Sequence, residues 1–232
     1  MECEFIMKYL IYLKKLLLSF KNIFIILGME LLLLFAIVTI LGKEKSILFG
    51  TIFLMFYFSC FSIFMLRKQK LSIKGINFFP YILLGISIAS IYNMIIFKIG
   101  IMSEINVDIS SIIVILSSGV TSPIFEEVLF RYDFINKLEK FNSNKWVVIL
   151  LSGIIFGLFH NGIVTIIYGT IVGLVNAYLY VKHKNILIPI VVHSSGNIFV
   201  NFLTGYNPWI LFFSFILLLL SIILMKKNCI LK

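Results

Sequence analysis

The chain has 232 residues, of which 61% are hydrophobic and only 13% are charged. A soluble globular domain usually carries about 25% charged residues, so this composition excludes a soluble fold and predicts a chain surrounded by lipid. The formal net charge of +10 does not indicate nucleic-acid binding, because the basic residues form short clusters at the ends of apolar runs, as in membrane-protein loops.

The first twenty residues predict an amphipathic helix that lies on the membrane surface. Lys8 and Lys15 are seven residues apart, as are Lys14 and Lys21, and this spacing collects the lysines on one side of a helix. Acidic residues and lysines interrupt the segment and no small-residue cleavage site follows, so it does not have the pattern of a secretory signal.

Eight apolar runs follow, most of them near the roughly 20 residues that a helix needs to cross the hydrocarbon core. Because the runs are continuous and lack the alternation of a membrane barrel, we predict an all-α polytopic membrane protein, a bundle of about eight transmembrane helices with an N-terminal interfacial amphipathic helix. The loops are too short for a second core, so residues 1–232 should form a single transmembrane domain. The predicted spans are Asn22–Leu41, Ser46–Leu66, Phe78–Phe97, Ile109–Phe130, Trp146–His160, Gly162–Val181, Ile186–Thr204 and Trp209–Met225.

The loop charges predict the orientation of the bundle. With a cytoplasmic N-terminus, 17 of the 20 lysines and arginines fall in cytoplasmic segments, and only Lys43, Lys45 and Lys98 lie outside. This distribution follows the positive-inside rule at every loop. We therefore expect a multi-pass protein of the cell membrane with both termini in the cytoplasm.

Two pairs of glycines predict close packing between the fifth and sixth spans. Gly153 and Gly157 are four residues apart on the fifth span, and Gly169 and Gly173 are four apart on the sixth. Faces of small residues let helix backbones approach closely in membranes, so we interpret these glycines as packing positions only.

A few ionisable or polar side chains occur at membrane depth, where they are costly and therefore candidate functional residues. We interpret Glu30, alone in the first span, as a helix-packing contact. The remaining candidates cluster in three spans: Glu126, Glu127 and Arg131 in the fourth, His160 at the end of the fifth, and His193 and Asn197 in the seventh.

The helical spacing assigns different positions to the two adjacent glutamates. Glu127 and Arg131 are at i and i+4 with the acid first, which favours an ion pair, whereas Glu126 points about 100° away and stays free for chemistry. Glu126 and His160 lie 17 residues on either side of Ser143 in a polar turn, so both should sit roughly 25 Å from that turn, at one depth. Pro123 predicts a bend that opens space beside the glutamates.

Three motifs in this order resemble those of a known family. Residues 126–131 match EExxxR, residues 156–160 match FxxxH and residues 193–197 match HxxxN, each on a separate predicted helix. From Thr121 to Asn201 the chain therefore resembles the CAAX prenyl protease and bacteriocin-processing family, also called the Abi or CPBP family.

The resemblance implies an intramembrane endopeptidase that acts on membrane-associated peptide or protein substrates. Eukaryotic type II CAAX endopeptidases trim prenylated proteins, while bacterial members are linked to peptide processing and to bacteriocin immunity. For this chain we expect a peptide pheromone or a bacteriocin precursor as substrate. Members are described both as metalloproteases and as glutamate-dependent enzymes, so the cofactor is either none or a divalent metal such as zinc.

Our preferred mechanism is water activation by Glu126, because a carboxylate in a partly dry cavity is suited to general-base catalysis at neutral pH. In a metal-dependent alternative, Glu126, His160 and His193 would be the ligands, although the HExxH motif is absent. In the metal-free mechanism, His160 orients the water. The oxyanion accepts hydrogen bonds from His193 and Asn197. Glu127 and Arg131 support the helix that carries Glu126.

Three other functions remain open from the sequence. The polar residues could only hold helices together, since interhelical polar contacts are common in membranes. The chain could be a bacteriocin immunity protein or another membrane protein that binds a peptide without cutting it. A proton-coupled transporter is disfavoured because the sequence contains no inverted repeat of the kind that many transporters show.

Overall fold

A computed structural model describes the backbone of residues 2–67, 69, 71–101, 112–141 and 144–230. Within these ranges every regular element is helical and no strand occurs, which confirms the predicted all-α fold. The elements are α1 (Glu2–Leu66), α2 (Phe79–Lys98), α3 (residues 112–139), α4 (Lys145–Leu158), α5 (Ile163–His183), α6 (Leu187–Val200) and α7 (Pro208–Ile230).

Five helical segments are long and apolar enough to cross a membrane, so the chain is a multi-pass membrane protein. α4 and α6 are shorter apolar helices, as the short fifth predicted span suggested for α4. The five long segments are Leu17–Ile40, Phe49–Leu66, Phe79–Lys98, Ile163–His183 and Pro208–Lys227.

α1 differs from the prediction at its N-terminus. Its backbone is helical from Glu2 onward, without a break between the predicted interfacial helix and the first span, because no glycine or proline precedes Gly28. The helical conformation is interrupted at Gly42 (φ 73°, ψ 168°), in the left-handed region that favours glycine. With the two arms of α1 counted separately, the described residues form eight helices.

α3 is a single helical stretch with two π-helical segments. It continues nine residues past the predicted end at Phe130, and its π segments are Ser117–Thr121 and Val128–Ile135. The first π segment lies just before Pro123 and ends with the Ser122 N–H donating to the Ser117 carbonyl. The bend expected at this proline stays a prediction. The predicted start of this span at Ile109 and the turn centre Ser143 lie outside the described residues.

Asparagines begin four of the helices. In each case the side-chain carbonyl accepts a hydrogen bond from the backbone N–H two residues later, at 2.9 to 3.0 Å, which satisfies a donor that the first helical turn leaves free. These asparagines precede α2, α4, α6 and α7 in turn: Asn77, Asn144, Asn185 and Asn207.

Glycines allow the close crossing of α4 and α5, as predicted. A Cβ atom on Gly173 would lie 2.7 Å from the carbonyl oxygen of Gly153, and one on Gly153 would lie 2.8 Å from the backbone nitrogen of Leu174. A similar approach occurs between α2 and α6, where a Cβ on Gly196 would lie 2.9 Å from the Gly85 carbonyl. These backbone contacts fix how the helices around α3 are rotated relative to one another.

The basic helix ends gather at one end of the bundle, which we call the basic face. Arg67, Lys137 and Lys140 line one cavity there, Lys74 and Lys182 line a second, and Lys182 and Lys226 line a third. At the opposite end of α2, Lys98 lies 5.9 Å from the ring of Tyr206. That the basic face meets the cytoplasm stays a prediction from the positive-inside rule.

The Gly173→Ala substitution tests the crossing of α4 and α5. The added Cβ meets backbone atoms, which cannot rotate away, so we expect a loss of about 1–3 kcal/mol in the free energy of unfolding, measured by thermal unfolding in detergent. Gly28→Ala is the matched control: its Cβ would meet nothing within 4 Å, so it should be neutral or stabilise the helix by up to about 1 kcal/mol. Equal effects of the two substitutions would contradict the backbone crossing.

Candidate active site

Glu127 is the centre of a buried polar cluster. Its carboxylate forms the predicted ion pair with Arg131 on the next turn, with 3.0 Å between Oε2 and the arginine Nε. The other oxygen, Oε1, lies 2.8 Å from Nδ1 of His193 on α6 and accepts a hydrogen bond of 2.9 Å from the Asn176 amide on α5. Both charged side chains are fully buried, so the cluster joins three helices away from solvent.

Arg131 is held by two further contacts on α4 and α5. Its Nη2 donates to the carbonyl oxygen of Gly173 at 3.2 Å, and its guanidinium lies 4.3 Å from the ring centroid of Phe156. A desolvated guanidinium over an aromatic face gains stabilisation that it would lose in water. The arginine is therefore fixed in place, and its charge stays beside Glu127.

Glu126 is placed differently from its neighbour. Its side chain keeps 28% exposure, and its Oε2 lies 3.9 Å from Nε2 of His193. This distance is too long for a direct hydrogen bond but suits two groups that share a water molecule. The carboxylate also interacts electrostatically with His160, so Glu126 is the accessible acid between two imidazoles.

His160 lies just beyond the C-terminal end of α4, in the turn before α5. Its Nδ1 is 3.0 Å from the carbonyl oxygen of Phe156, and since a carbonyl only accepts, Nδ1 carries the proton and Nε2 is left as an acceptor. A Cβ on Gly169 would lie 2.9 Å from this imidazole, so that glycine makes room for the ring as well as for helix packing. The packing-only interpretation of Gly169 was therefore incomplete.

The ring of Phe156 lies between the two histidines. It makes edge-to-face contacts with His160 at 4.9 Å and with His193 at 5.7 Å, measured between ring centroids. Because Phe156 is only 1% exposed, its ring cannot move without disturbing both imidazoles. The FxxxH motif thus supplies both a histidine and the apolar wall against which two histidines rest.

Asn197 makes a contact that the sequence did not predict. Its amide donates to the carbonyl oxygen of Ser118, at 3.0 Å, in the first π segment of α3. The bond therefore ties α6 to α3 just before Pro123. One N–H of the Asn197 amide is not used by this contact.

Sequence reasoning missed Asn176. It is fully buried on α5, and its position in the middle of an apolar span was the signal that could have identified it. Glu30, interpreted as a packing contact, interacts electrostatically with Glu126, so the first arm of α1 lies near the site. Phe58 of the second arm stacks on Phe125, with 4.0 Å between ring centroids.

The proposed metal ligands Glu126, His160 and His193 do not form a ready metal site in this arrangement. In the part of the chain that the structure describes, no group of three or more His, Cys, Asp or Glu side chains is placed to hold a metal ion. His193 also uses Nδ1 on Glu127, so only its Nε2 could serve as a ligand. These residues therefore do not fit a three-ligand metal centre without rearrangement.

A small cavity lies beside His193. Its volume is about 10 Å³, about the size of one water molecule, and it is lined mainly by apolar residues of α2, α5 and α6. Of the candidate site residues, His193 alone belongs to this lining, so the cavity offers room for one water molecule beside that imidazole. Glu126, next to the two imidazoles, supplies with them the acid and base groups that general acid–base chemistry requires.

Comparison with known proteins supports the motif analysis. Residues 108–199 match the family model described as "Type II CAAX prenyl endopeptidase Rce1-like". The chain is also 33% identical over 88 residues to a Bacillus subtilis (strain 168) protein named "Putative membrane peptidase YdiL". That match covers 38% of this chain and 36% of the relative, so the chain spans about a third of the length of the curated relative. No solved structure gives a significant match.

Removal of the Asn176 amide tests the buried cluster. Asn176→Leu takes a donor from a buried carboxylate, so we expect a loss of about 1.5–3 kcal/mol in the free energy of unfolding, measured by thermal unfolding in detergent. Asn201→Leu is the control, because Asn201 donates to a neutral backbone carbonyl at a partly exposed position and should cost only about 0.5–1.5 kcal/mol. An Asn176 variant as stable as wild type would contradict this role.

Proposed function

From the confirmed resemblance to the CAAX prenyl protease and bacteriocin-processing family, we propose that the chain is an intramembrane endopeptidase that cleaves membrane-associated peptides or proteins. One observation carries the proposal: two adjacent glutamates have opposite environments. Glu127 is fully buried and bound by three partners, whereas the Glu126 side chain is 28% exposed and has no hydrogen-bond partner in the described residues. A purely structural cluster needs only the buried glutamate, Glu127. Hydrolysis also needs an accessible one, Glu126.

Glu126 acts as the general base. A water molecule next to its Oε2 gives up a proton to the carboxylate while its oxygen attacks the peptide carbonyl. The proton then passes to the nitrogen of the leaving amine, so Glu126 ends the cycle ionised. The burial that surrounds this carboxylate strengthens its interaction with the charge that develops in the transition state.

The two histidines and Asn197 assist this water and the oxyanion. His160 accepts a hydrogen bond at Nε2, because its Nδ1 proton is committed to the Phe156 carbonyl, and so helps to orient the water. A protonated His193 donates to Glu127 from Nδ1 and to the oxyanion from Nε2. The unused N–H of Asn197 is the second oxyanion donor.

Glu127 and Arg131 position these groups without touching the substrate. The Glu127 carboxylate fixes the orientation of the His193 ring in the way that a carboxylate orients the histidine of a catalytic triad. Arg131 keeps Glu127 ionised in an environment where an isolated charge would be too costly. Their full burial agrees with a positioning role.

A membrane-associated peptide fits this site better than a soluble protein. Exposed apolar side chains surround the bundle, as expected of a lipid-facing surface, and the Glu126 side chain is 28% exposed. A peptide pheromone or bacteriocin precursor that lies in the membrane reaches the site through the accessible side of Glu126. With both termini in the cytoplasm, the substrate approaches from the cytoplasmic leaflet.

Glu126→Gln tests the proposed base. The amide keeps the shape and cannot take a proton, so we expect cleavage of a fluorogenic membrane-anchored peptide library to fall about 100- to 10,000-fold at unchanged thermal stability. Glu30→Gln is the matched control, since it removes a carboxylate that is near Glu126 but outside the proposed catalytic group, and it should leave most of the activity. Full activity in Glu126→Gln would refute the mechanism.

A chelator distinguishes the metal-free mechanism from a zinc-dependent one. Since the described residues do not form a three-ligand centre, we expect the wild-type protein to cleave the library at an unchanged rate in excess chelator. Loss of cleavage that returns when zinc is added would instead assign Glu126, His160 and His193 as metal ligands. Absence of cleavage in every sample would favour a peptide-binding immunity protein.

A further inference from the structure

Two adjoining cavities open at the basic face, and Glu126 lines neither of them. One has a volume of about 380 Å³ and lies between the loop at residues 71–78 and the turn from α5 to α6. The other has a volume of about 470 Å³ and lies between the ends of α5 and α7. Tyr81, Lys182 and His183 line both, so the two form one continuous cleft.

The cleft carries uncompensated positive charge. Lys74, Lys182 and Lys226 line it, and no aspartate or glutamate does. None of these three lysines forms an ion pair with any residue that the structure describes. The cavity beside Arg67 is different, because Asp133 lies within it and pairs with Lys137 at 2.6 Å.

The second half of the cleft is mainly apolar. Leu179, Ile222 and Met225 form its walls. Tyr178, also in the wall, stacks on Trp146 with 6.3 Å between ring centroids. Tryptophan and tyrosine concentrate where the hydrocarbon core meets the headgroups, so this pair indicates that the apolar half lies near the membrane interface.

The polar half of the cleft is held in shape by interactions within the protein. The amide of Asn185 donates to the backbone carbonyl of Ser72 at 2.8 Å, which ties the loop to the start of α6. The Tyr81 hydroxyl lies 3.2 Å from Nε2 of His183, and the two rings pack edge to face. A preformed site loses less entropy when a ligand binds.

We propose that this cleft binds an anionic phospholipid of the surrounding membrane. The phosphate lies where the two halves meet at Lys182, with Lys74 on the polar side and Lys226 on the apolar side to neutralise it, and an acyl chain extends along the apolar groove between α5 and α7. Basic pockets between helix ends suit phospholipids, because the lysines neutralise the phosphate while the apolar walls contact the acyl chain. The site lies outside the polar cluster around Glu127 and does not depend on the peptidase proposal.

Quenching of Trp146 by brominated lipid measures this binding. Trp209→Phe leaves Trp146 as the single tryptophan, adjacent to the wall of the cleft. In neutral detergent we expect phosphatidylglycerol with brominated acyl chains to quench it at about tenfold lower concentration than brominated phosphatidylcholine. Replacement of Lys74, Lys182 and Lys226 by glutamine should abolish that preference, and Ile222→Phe should weaken quenching by both lipids.

The controls separate a site from diffuse surface charge. Replacement of Lys14, Lys21 and Lys140, three exposed lysines outside the cleft, by glutamine removes the same charge and should keep the preference. An equal loss of the preference for phosphatidylglycerol in this control would overturn the proposal. Equal quenching by the two lipids in the wild-type protein would overturn it as well. So would displacement of the anionic lipid by inorganic phosphate at equal concentration, which would assign the lysines to free phosphate.

Discussion

The buried ion pair between Glu127 and Arg131 is the constraint on which the rest of the site depends. Two full charges at 0% exposure inside an apolar bundle are tolerated only when each is paired and hydrogen-bonded. Loss of one partner from such a pair typically costs about 3–5 kcal/mol, because the other charge remains buried. The surrounding helices must therefore present donors and acceptors at fixed positions, and that requirement determines how they pack against α3.

Each neighbouring helix meets this requirement in a different way. α5 contributes the Asn176 amide and the Gly173 carbonyl, α6 contributes His193, and α4 contributes the face of Phe156. The Gly153–Gly173 crossing is what brings α4 and α5 close enough to do this. Gly173 thus serves both the helix crossing and the hydrogen bonding of Arg131, so the stability of the bundle and the proposed site share this contact.

The proposed chemistry follows from the different environments of the adjacent residues Glu126 and Glu127. Successive side chains on a helix point about 100° apart, so one glutamate can face the interior while the next faces an accessible side. The π segments on either side of residues 122–127 shift the register of α3 at this point, and such segments recur at functional sites. Asn197 holds the first of them through the Ser118 carbonyl, which connects the third motif to the geometry of the first.

Local sequence patterns were enough to predict the features that depend on residues close together along the chain. Composition and apolar runs gave the all-α membrane fold, and the i, i+4 spacing gave the Glu127–Arg131 pair, because both reflect local geometry. Only the tertiary structure decided that His193 contacts Glu127, that Asn176 completes the cluster and that Asn197 binds the backbone of α3. These contacts depend on how separate helices cross and are rotated relative to one another. Glycine packing and the π segments determine that geometry, and the periodicity of the sequence does not encode it.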